Sequence, residues 1–180
     1  PVSSTAEKVE QRIYFVDKTE KRNLLYHLIR NEKLSDVLVF SRTKHGADNV
    51  VKALRKHGVA AEAIHGDKSQ TARQRVLDAF KNKEVGVLVA TDIAARGIDI
   101  DQLPFVINFD LPNIPETYVH RIGRTGRAGN GGIAISFCSK DKEKNWKDII
   151  KLIKVDVTII KDHPYPWHSG GQKKKKKAPQ

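Results

Sequence analysis

Short apolar runs alternate along this chain with longer segments in which apolar side chains recur at helical spacing. The runs at 37–40 and 85–90 are apolar throughout, which is typical of strands buried on both faces. The segments at 44–56 and 70–81 place apolar residues three and four positions apart, which indicates helices with one buried face. Strands that alternate with helices in this way form crossovers between parallel strands. The sequence therefore predicts an α/β fold, a parallel sheet with helices on both faces.

The same pattern extends through most of the chain. Further strands are predicted at 13–16, 60–64, 105–109 and 133–137, and 155–160 is compatible with one more. Further helices are predicted at 18–31, from Pro115 onward and at 142–153. Trp146 lies at core spacing in the last of these, which favours packing over the stacking of a base. The short strand at 13–16 is expected at an edge of the sheet.

Length and charge favour one folded domain with a basic surface. The chain has 180 residues, 39% of them hydrophobic, enough for one core. Of its net charge of +12, the five lysines at 173–177 supply +5, which leaves +7 for the remainder. Such a basic body favours a polyanionic partner, most commonly nucleic acid. We expect an extended leader or linker remnant at 1–8, the folded domain at 9–162 and a flexible basic tail at 163–180.

Several classes of protein are disfavoured by the composition. Cys138 is the single cysteine, so an internal disulfide framework is excluded, and no cysteine and histidine cluster has zinc-site spacing. No apolar run approaches the roughly 20 residues of a membrane span, and residues 1–10 lack the apolar core of a signal peptide. We therefore expect a cytoplasmic protein that has neither a metal site nor a membrane partner.

Polar segments follow four of the predicted strands. They are 41–44, 65–68, 91–99 and the segment from 110 onward. In parallel α/β sheets, ligands bind beyond the carboxyl ends of the strands, in the loops that follow them. The sequence thus predicts that one edge of the sheet carries the functional residues.

The most basic of these segments is His-Arg-Ile-Gly-Arg-Thr-Gly-Arg at 120–127. If the preceding helix continues through it, His120, Arg124 and Arg127 share one face, because their spacing is i, i+4 and i+7. Two guanidinium groups on one face are suited to binding phosphate. Two intervening glycines can end the helix before that point. The alternative is a basic surface helix that binds no ligand.

The loop after the fourth predicted strand has the composition of a ligand-binding turn. Gly97 allows a ligand to approach the backbone closely, and Asp99 can accept a hydrogen bond from a ribose hydroxyl. Thr91 can contact a phosphate. Asp92 is also predicted to cap a short helix that begins at Ile93, a role that does not exclude ligand binding.

Weaker signals lie near the start of the helix at 70–81. Gln70 and Arg73 are three residues apart, so both can reach one phosphate, with help from the positive end of the helix. The alternative is an ordinary solvated helix surface. Ser69 is predicted to be the N-cap of this helix. Thr43, with its neighbouring lysine, is an equally weak signal by itself.

A nucleotide site is incomplete in this sequence. No Gly-x-x-x-x-Gly-Lys-Ser/Thr phosphate loop is present, and no acidic cluster follows a strand in a way that would hold Mg²⁺. The arginines of 120–127 are therefore expected to act in a site shared with another domain.

Five segments together carry a family resemblance. They are Val-Leu-Val-Phe-Ser-Arg-Thr-Lys at 37–44, Ile-His-Gly-Asp at 64–67, Gln-x-x-Arg at 70–73, Ala-Thr-Asp-Ile-Ala-Ala-Arg-Gly-Ile-Asp-Ile at 90–100, and the segment 120–127. In order and spacing they resemble the second RecA-like domain of DEAD-box RNA helicases, over about 10–140. The region with Trp146 and His-Pro-Tyr-Pro at 163–166 is similar to the bacterial RhlE-type subgroup.

The resemblance implies a role for each motif residue. Arg127 corresponds to the arginine finger, Arg124 lies beside it on the γ-phosphate, and His120 links to the acidic motif of the partner domain. Gly97 and Asp99 contact the nucleotide, Asp99 through the ribose. The RNA backbone is lined by Thr43, Gly66, Gln70, Arg73, Thr91 and Asp92, and Arg96 lies between the two ligands.

The resemblance also implies that this chain is the second half of an ATP-dependent RNA helicase. The phosphate loop and most of the Mg²⁺ ligands belong to the family's N-terminal RecA-like domain, so the isolated chain is expected to be inactive. ATP is expected between the two domains, with RNA bound across both through sequence-independent backbone contacts. Closure would then couple hydrolysis to local separation of an RNA duplex.

Two other functions remain open at the level of sequence. One is a stand-alone RNA-binding or regulatory module that uses the same basic edge without catalysis. The other is half of a DNA-acting helicase, although the residues at 94–99 and 120–124 favour a helicase that acts on RNA. The lysines at 173–177 are either a tether for structured RNA or a solubilising tail.

Overall fold

The computed structural model describes residues 2–126 and 131–167. Its strands are β1 (Glu10–Phe15), β2 (Val37–Phe40), β3 (Ala61–Ile64), β4 (Val87–Ala90), β5 (Phe105–Asn108), β6 (Ile133–Cys138) and β7 (Thr158–Ile159). Its α-helices are α1 (Val2–Lys8), α2 (Lys21–Asn31), α3 (Lys44–Lys56), α4 (Gln70–Lys81), α5 (Asp92–Arg96), α6 (Pro115–Ile122) and α7 (Glu143–Ile153). Short 3₁₀ helices at Lys18–Glu20 and Lys140–Lys142 precede α2 and α7.

The seven strands form one parallel sheet in the order β3-β4-β2-β5-β6-β1-β7. Phe40, the last residue of β2, pairs with Ala90 at the end of β4 and with Asn108 at the end of β5. Neighbouring strands therefore end level with one another, and the loops that follow them meet at one edge. The predicted α/β fold is confirmed.

Helices cover both faces of the sheet. Successive side chains of a strand point to opposite faces, so a strand that is apolar throughout has two apolar faces to bury. On one face, α2 and α3 pack on alternate residues of the central strands, such as Val37 and Val39 of β2. On the other face, α4 and α5 pack on the intervening residues, such as Leu38. Beside them, α1, α6 and α7 cover β6 and β1 around the buried Tyr118. This second face carries most of the loops discussed below.

Two of the helices have the predicted bounds because each begins after a residue whose hydroxyl caps it. The Thr43 hydroxyl accepts a hydrogen bond from the Gly46 amide at the start of α3 (3.0 Å). The Ser69 hydroxyl accepts one from Ala72 at the start of α4 (3.1 Å), as predicted. Trp146 is buried in the core beside Tyr118, also as predicted.

The extended leader expected at 1–8 is wrong for the residues that the structure describes, since Val2–Lys8 is helix α1. A helix of seven residues is not stable by itself, so tertiary packing must hold it. Ala6 is buried among side chains of α6 and α7. The Gln11 amide donates to the Ala6 carbonyl (2.7 Å), and Tyr118 donates its hydroxyl proton to Gln11.

The strand β1 is longer than predicted and is not at an edge. It pairs with β6 over six residues and, on its other side, with the two residues of β7. The Ile160 amide continues this pairing with a hydrogen bond to the Ile13 carbonyl (2.9 Å). The sequence at 155–160 is compatible with a strand, but the covering strand is exposed and only two residues long, so nothing in it indicates that it pairs with β1.

The last described residues, 161–167, run along the end of β1. The Trp167 amide donates to the Phe15 carbonyl (3.3 Å), and the two rings meet edge to face. His163 uses Nε2 to bond the same carbonyl (3.1 Å), and its Nδ1 accepts from the Tyr165 amide (3.1 Å). Residues 163–167, assigned from sequence to a flexible tail, are therefore packed on the sheet, whereas 168–180 lie outside the described residues.

Candidate functional site

The loops after β2, β3, β4 and β5 gather at the carboxyl edge of the sheet, as the sequence predicts. Ile64, at the end of β3, pairs with Ala90, which pairs in turn with Phe40. The segments that follow these strands are therefore on adjacent positions along one edge. Thr43, Gly66 and Thr91 each lie within a few residues of a strand end, so the edge holds three of the residues predicted to contact RNA.

The helix α6 ends before the second arginine of the basic segment. Gly123 caps it, with its amide bonded to the Val119 carbonyl (3.0 Å). The chain then leaves helical geometry and runs beside Leu103, whose amide donates to the Arg124 carbonyl (2.9 Å). The first of the two intervening glycines thus ends the helix, the outcome that the sequence left open, and His120 and Arg124 do not share a continuous helical face. Arg127 lies outside the described residues.

The side chain of Arg124 fastens the loop after β4. Its guanidinium donates to the carbonyl oxygens of Ala95 (2.6 Å), Ile98 (3.0 Å) and Ile100 (2.8 Å). These carbonyls satisfy three of its donors, and no carboxylate within the described residues forms an ion pair with it, so the charge of Arg124 remains available to an anion. The same contacts fix the backbone on either side of Gly97, which ends α5.

A cavity of about 340 Å³ lies between this loop and α6. Its lining includes Asp99, His120 and Arg124, and Thr5 of α1 forms part of its wall. Three of the residues predicted to serve a nucleotide are thus brought together. Gly97 is not among the lining residues, and a Cβ built there has no atom within 4 Å. The space beside Gly97 is therefore open to a ligand.

Arg121 was not assigned a role from the sequence, but it contacts residues from three of the loops and strand ends at the carboxyl edge. It is 2% exposed and forms two parallel hydrogen bonds, from Nε and Nη2, to the Asp92 carboxylate (2.8 Å each). Its Nη1 donates to the Asp110 carbonyl (2.6 Å) and to Oδ1 of Asn108 (3.2 Å). The guanidinium lies over the Phe40 ring, 5.0 Å from its centroid. One buried side chain thus joins the ends of β2, β4 and β5.

This ion pair replaces the cap expected of Asp92. The helix α5 begins at Asp92, one residue earlier than predicted, and no side chain caps it. Both carboxylate oxygens of Asp92 are bound to Arg121. The partners of Arg121 are 11 to 29 residues away in sequence, so no local pattern could have revealed them.

A second buried ion pair fixes the loop after β2. The Lys21 ammonium bonds Oδ1 of Asp110 (2.9 Å), and the Arg42 amide donates to Oδ2 (2.8 Å). Burial alone would raise the pKa of Asp110, but the Lys21 charge and the Arg42 amide together hold this pKa below its usual value. The carboxylate is therefore ionised at neutral pH and holds the backbone next to Thr43 in place.

The remaining predicted RNA contacts flank this loop. Gln70 is the first residue of α4, and Arg73 lies one turn later. The Nε atom of Arg73 is buried and has no hydrogen-bond partner in the part of the chain that the structure describes. Such a group is costly unless a ligand satisfies it. Gly66 has open space at its Cα, and Arg96 is exposed.

Two glycines behind the basic segment are packed too tightly for a side chain. A Cβ at Gly132 would lie 2.6 Å from the Thr125 Cβ and 2.7 Å from the Leu103 carbonyl oxygen. A Cβ at Gly131 would collide with the Lys8 carbonyl oxygen at the end of α1. Gly132 therefore lets the start of β6 approach the turn that carries Arg124, and Gly131 lets it approach the end of α1.

The described residues contain no cluster of histidine, cysteine and carboxylate side chains that could hold a metal ion. No described helix has both the length and the apolar character needed to cross a membrane.

Comparison with known proteins identifies the class to which this fold and edge belong. The helicase conserved C-terminal domain family matches residues 20–129. This range runs from the start of α2 through the basic segment, so it includes every residue that the sequence assigns to the candidate site.

The solved structures to which this chain is similar are of DEAD-box proteins. A DEAD-box protein from the hyperthermophile Methanococcus jannaschii is 41% identical, with a TM-score of 0.80, over 86% of this chain and 42% of that chain. The Escherichia coli DEAD-box protein SrmB, solved bound to regulator of ribonuclease activity A, is 33% identical, with a TM-score of 0.84, over 92% of this chain and 99% of that chain. Saccharomyces cerevisiae Dbp5, bound to RNA and ADP BeF3, is 32% identical, with a TM-score of 0.79, over 87% of this chain and 43% of that chain.

The chain belongs to the DEAD-box helicase family and forms its C-terminal helicase domain. It spans less than half the length of the M. jannaschii protein and of RNA-bound Dbp5. The RhlE-type subgroup stays a prediction.

Proposed function

We propose that this chain is the C-terminal half of an ATP-dependent RNA helicase, active when an N-terminal RecA-like domain closes against its carboxyl edge. The observation that carries the proposal is the cavity in which Asp99, His120 and Arg124 meet, beside loops that the buried pairs of Arg121 and Asp110 hold in place. A preorganised cationic edge of this kind binds phosphate without further rearrangement.

The residues of this edge divide into two groups by position. Asp99 suits the ribose and Arg124 the phosphates of ATP, with His120 facing the partner domain. Thr43, Gly66, Gln70, Arg73, Thr91 and Arg96 suit the RNA backbone. Asp92 serves the site through Arg121, since both of its oxygens are already engaged. We assign Arg127, by its place in the family motif, to the arginine finger.

The nucleotide would need ligands from both domains. Mg²⁺, which bridges and neutralises the phosphates of ATP when bound, would depend mainly on carboxylates of the N-terminal half. Support for a nucleotide and RNA comes from RNA-bound Dbp5, which carries ADP BeF3. We place the enzyme in the cytoplasm on the sequence grounds given above.

The division of the site between two domains makes hydrolysis conditional on closure. If ATP and RNA each bind across both domains, each favours the closed form and so strengthens the binding of the other. Backbone contacts alone would make RNA binding steeply dependent on salt and nearly independent of sequence. Hydrolysis and phosphate release would then reopen the cleft and release a locally separated RNA strand.

The test is RNA-stimulated ATP hydrolysis by three proteins: this chain, a fusion of this chain to a DEAD-box N-terminal domain, and the fusion with Arg127→Ala. We expect activity only in the fusion, and a fall in kcat of about 10³-fold or more for Arg127→Ala, with RNA binding retained. Arg30→Ala is the control, because Arg30 lies in the last turn of α2, at the end away from the carboxyl edge.

Other outcomes would identify the two alternatives. Full activity of the Arg127→Ala fusion would remove the finger role and favour an RNA-binding module. Unwinding of a DNA duplex as efficiently as an RNA duplex would favour the DNA-acting branch. Hydrolysis by the chain alone would contradict the shared site.

A further inference from the structure

The outer face of the last helix carries a row of lysines that the candidate site does not use. Lys144, Lys147 and Lys151 of α7 recur at alternating intervals of three and four residues, which places them on one face. Lys140, in the 3₁₀ turn before the helix, and Lys154, at its C-cap, extend the row at the same intervals. All five are exposed, and we call them the lysine row.

Most of the lysine row has no local counter-charge. Lys144 forms an ion pair with Asp148 (3.2 Å). Within the described residues, no carboxylate lies within ion-pair distance of Lys140, Lys147, Lys151 or Lys154. The carboxylate of Asp141, next to Lys140, is bound to the Ser139 hydroxyl and faces Lys18 (3.8 Å).

Two basic residues of α3 differ in this respect. Arg55 is paired with Glu62 (2.9 Å), and Lys44 with Asp67 (2.9 Å). The lysine row is thus an unneutralised line of positive charge about 20 Å long, from the helical rise of 1.5 Å per residue.

The row begins at the functional edge of the sheet. Lys140 follows the carboxyl end of β6, and the ion pair of Lys18 with Asp141 joins this turn to the loop after β1. From there α7 runs back along the second face of the sheet, beside α6. A strand that leaves the loops of the carboxyl edge can therefore continue directly onto the lysine row.

The C-terminal segment returns to the same end of the sheet. Trp167 bonds Phe15, the last residue of β1, so the last described residues lie at the carboxyl edge. The described part of the chain therefore ends beside the start of the lysine row.

From these observations we infer that the lysine row is a second RNA-binding surface, which holds the phosphate backbone of RNA that extends beyond the catalytic edge. The inference rests on the proposed function for the identity of the polyanion. The aromatic residue of α7, Trp146, is buried, so the row offers charge without a stacking platform. It binds RNA irrespective of sequence and adds affinity only for RNA long enough to reach it.

The test uses this chain and two RNA probes: a hairpin with a stem of about 20 base pairs and a single-stranded overhang, and a single strand of about ten nucleotides. The variant is Lys147→Gln with Lys151→Gln, and the matched control is Lys52→Gln with Lys56→Gln. Both pairs are exposed lysines four residues apart on one helix, so the two variants lose the same charge.

We expect the α7 variant to bind the hairpin roughly fivefold more weakly at about 100 mM KCl. The slope of log affinity against log salt should become shallower by about 1.5, the value for two lost phosphate contacts. The control variant and binding of the short strand should stay within about twofold of the unmodified chain, and Lys147→Arg with Lys151→Arg should restore the slope.

Equal losses in both variants would overturn the inference, because they would reflect bulk charge alone, and so would an unchanged affinity for the hairpin. An equal loss of binding to polyglutamate would instead assign the row to an acidic protein. RNA-stimulated hydrolysis by the fusion, measured with the short strand, tests the proposed function separately, since that strand does not reach the row.

Discussion

At the scale of single residues, the candidate site depends on a side chain that touches neither proposed ligand. Arg121 uses one guanidinium to bind a carboxylate in two places, to satisfy two further oxygens and to cover an aromatic ring. Its planar fork is what makes this possible, and an ammonium group has no equivalent. The orientation of the loop after β4 therefore depends on the shape of this side chain as much as on its charge.

We expect Arg121→Lys to destabilise the fold by about 2–4 kcal/mol, because it keeps the buried charge but cannot bond both oxygens of the partly exposed Asp92 carboxylate and the buried Asn108 side chain together. Chemical denaturation of the two proteins at neutral pH measures this loss. Arg30→Lys, at an exposed position on α2, is the matched control and should change the stability by less than about 0.5 kcal/mol. An unfolding free energy for Arg121→Lys equal to that of the control would contradict the role of the fork.

At the scale of elements, we expect the packing of the segment 161–167 on the end of β1 to depend on pH. The partly buried imidazole of His163 has a lowered pKa, chiefly through desolvation, which outweighs its bond to the Phe15 carbonyl. His27 lowers the pKa further and Asp162 raises it. The hydrogen bonds require the neutral ring, with a proton on Nε2 and a lone pair on Nδ1 for the Tyr165 amide. Protonation of Nδ1 would break this bond, because the Nδ1–H group and the Tyr165 amide are both hydrogen-bond donors.

Because the pKa of His163 is lower in the folded state, its contribution to stability is complete above the unfolded value of about 6.5 and falls as the pH drops below it. We expect amides of 158–167 to exchange with solvent faster at about pH 5.5 than at about pH 7.5, after correction for intrinsic rates. His163→Gln should remove this difference, since its amide oxygen can accept the Tyr165 bond at either pH. The exposed His45→Gln should retain it, and a pH response that persists in His163→Gln would exclude the imidazole as its source.

At the scale of the whole molecule, the fold could be predicted from sequence where the signals are local. The helices at 44–56 and 70–81 have the predicted bounds, because hydrophobic periodicity and a hydroxyl cap mark each of them. The site could be located at one edge because parallel strands end together. The helix α1 and the pairing of β7 with β1 could not be predicted, since both depend on contacts with distant residues: Ala6 with α6 and α7, and Ile160 with Ile13.

The helix α1 contributes both to the candidate nucleotide cavity and to the stability of the domain. Thr5 lines the cavity, and Ala6 is buried among side chains of α6 and α7. We expect Ala6→Asp to lower the unfolding free energy by about 2–3 kcal/mol, the cost of an unpaired polar group at a position that is 1% exposed. Glu7→Asp places the same side chain at the exposed neighbouring position and should have little effect. Denaturant unfolding measures both, and equal midpoints would show that α1 is not packed on the domain.

The close packing of Gly131 and Gly132 affects how genetic data on this domain should be interpreted. A side chain at Gly132 would force β6 away from the turn that carries Arg124, and one at Gly131 would force it away from the end of α1, so either substitution damages the fold without touching a ligand-binding residue. In cells such variants would be degraded and their abundance would fall, whereas loss of a ligand-binding arginine would leave normal amounts of an inactive protein. A mutational scan scored by growth alone would merge the two groups, and a parallel measurement of protein level would separate them.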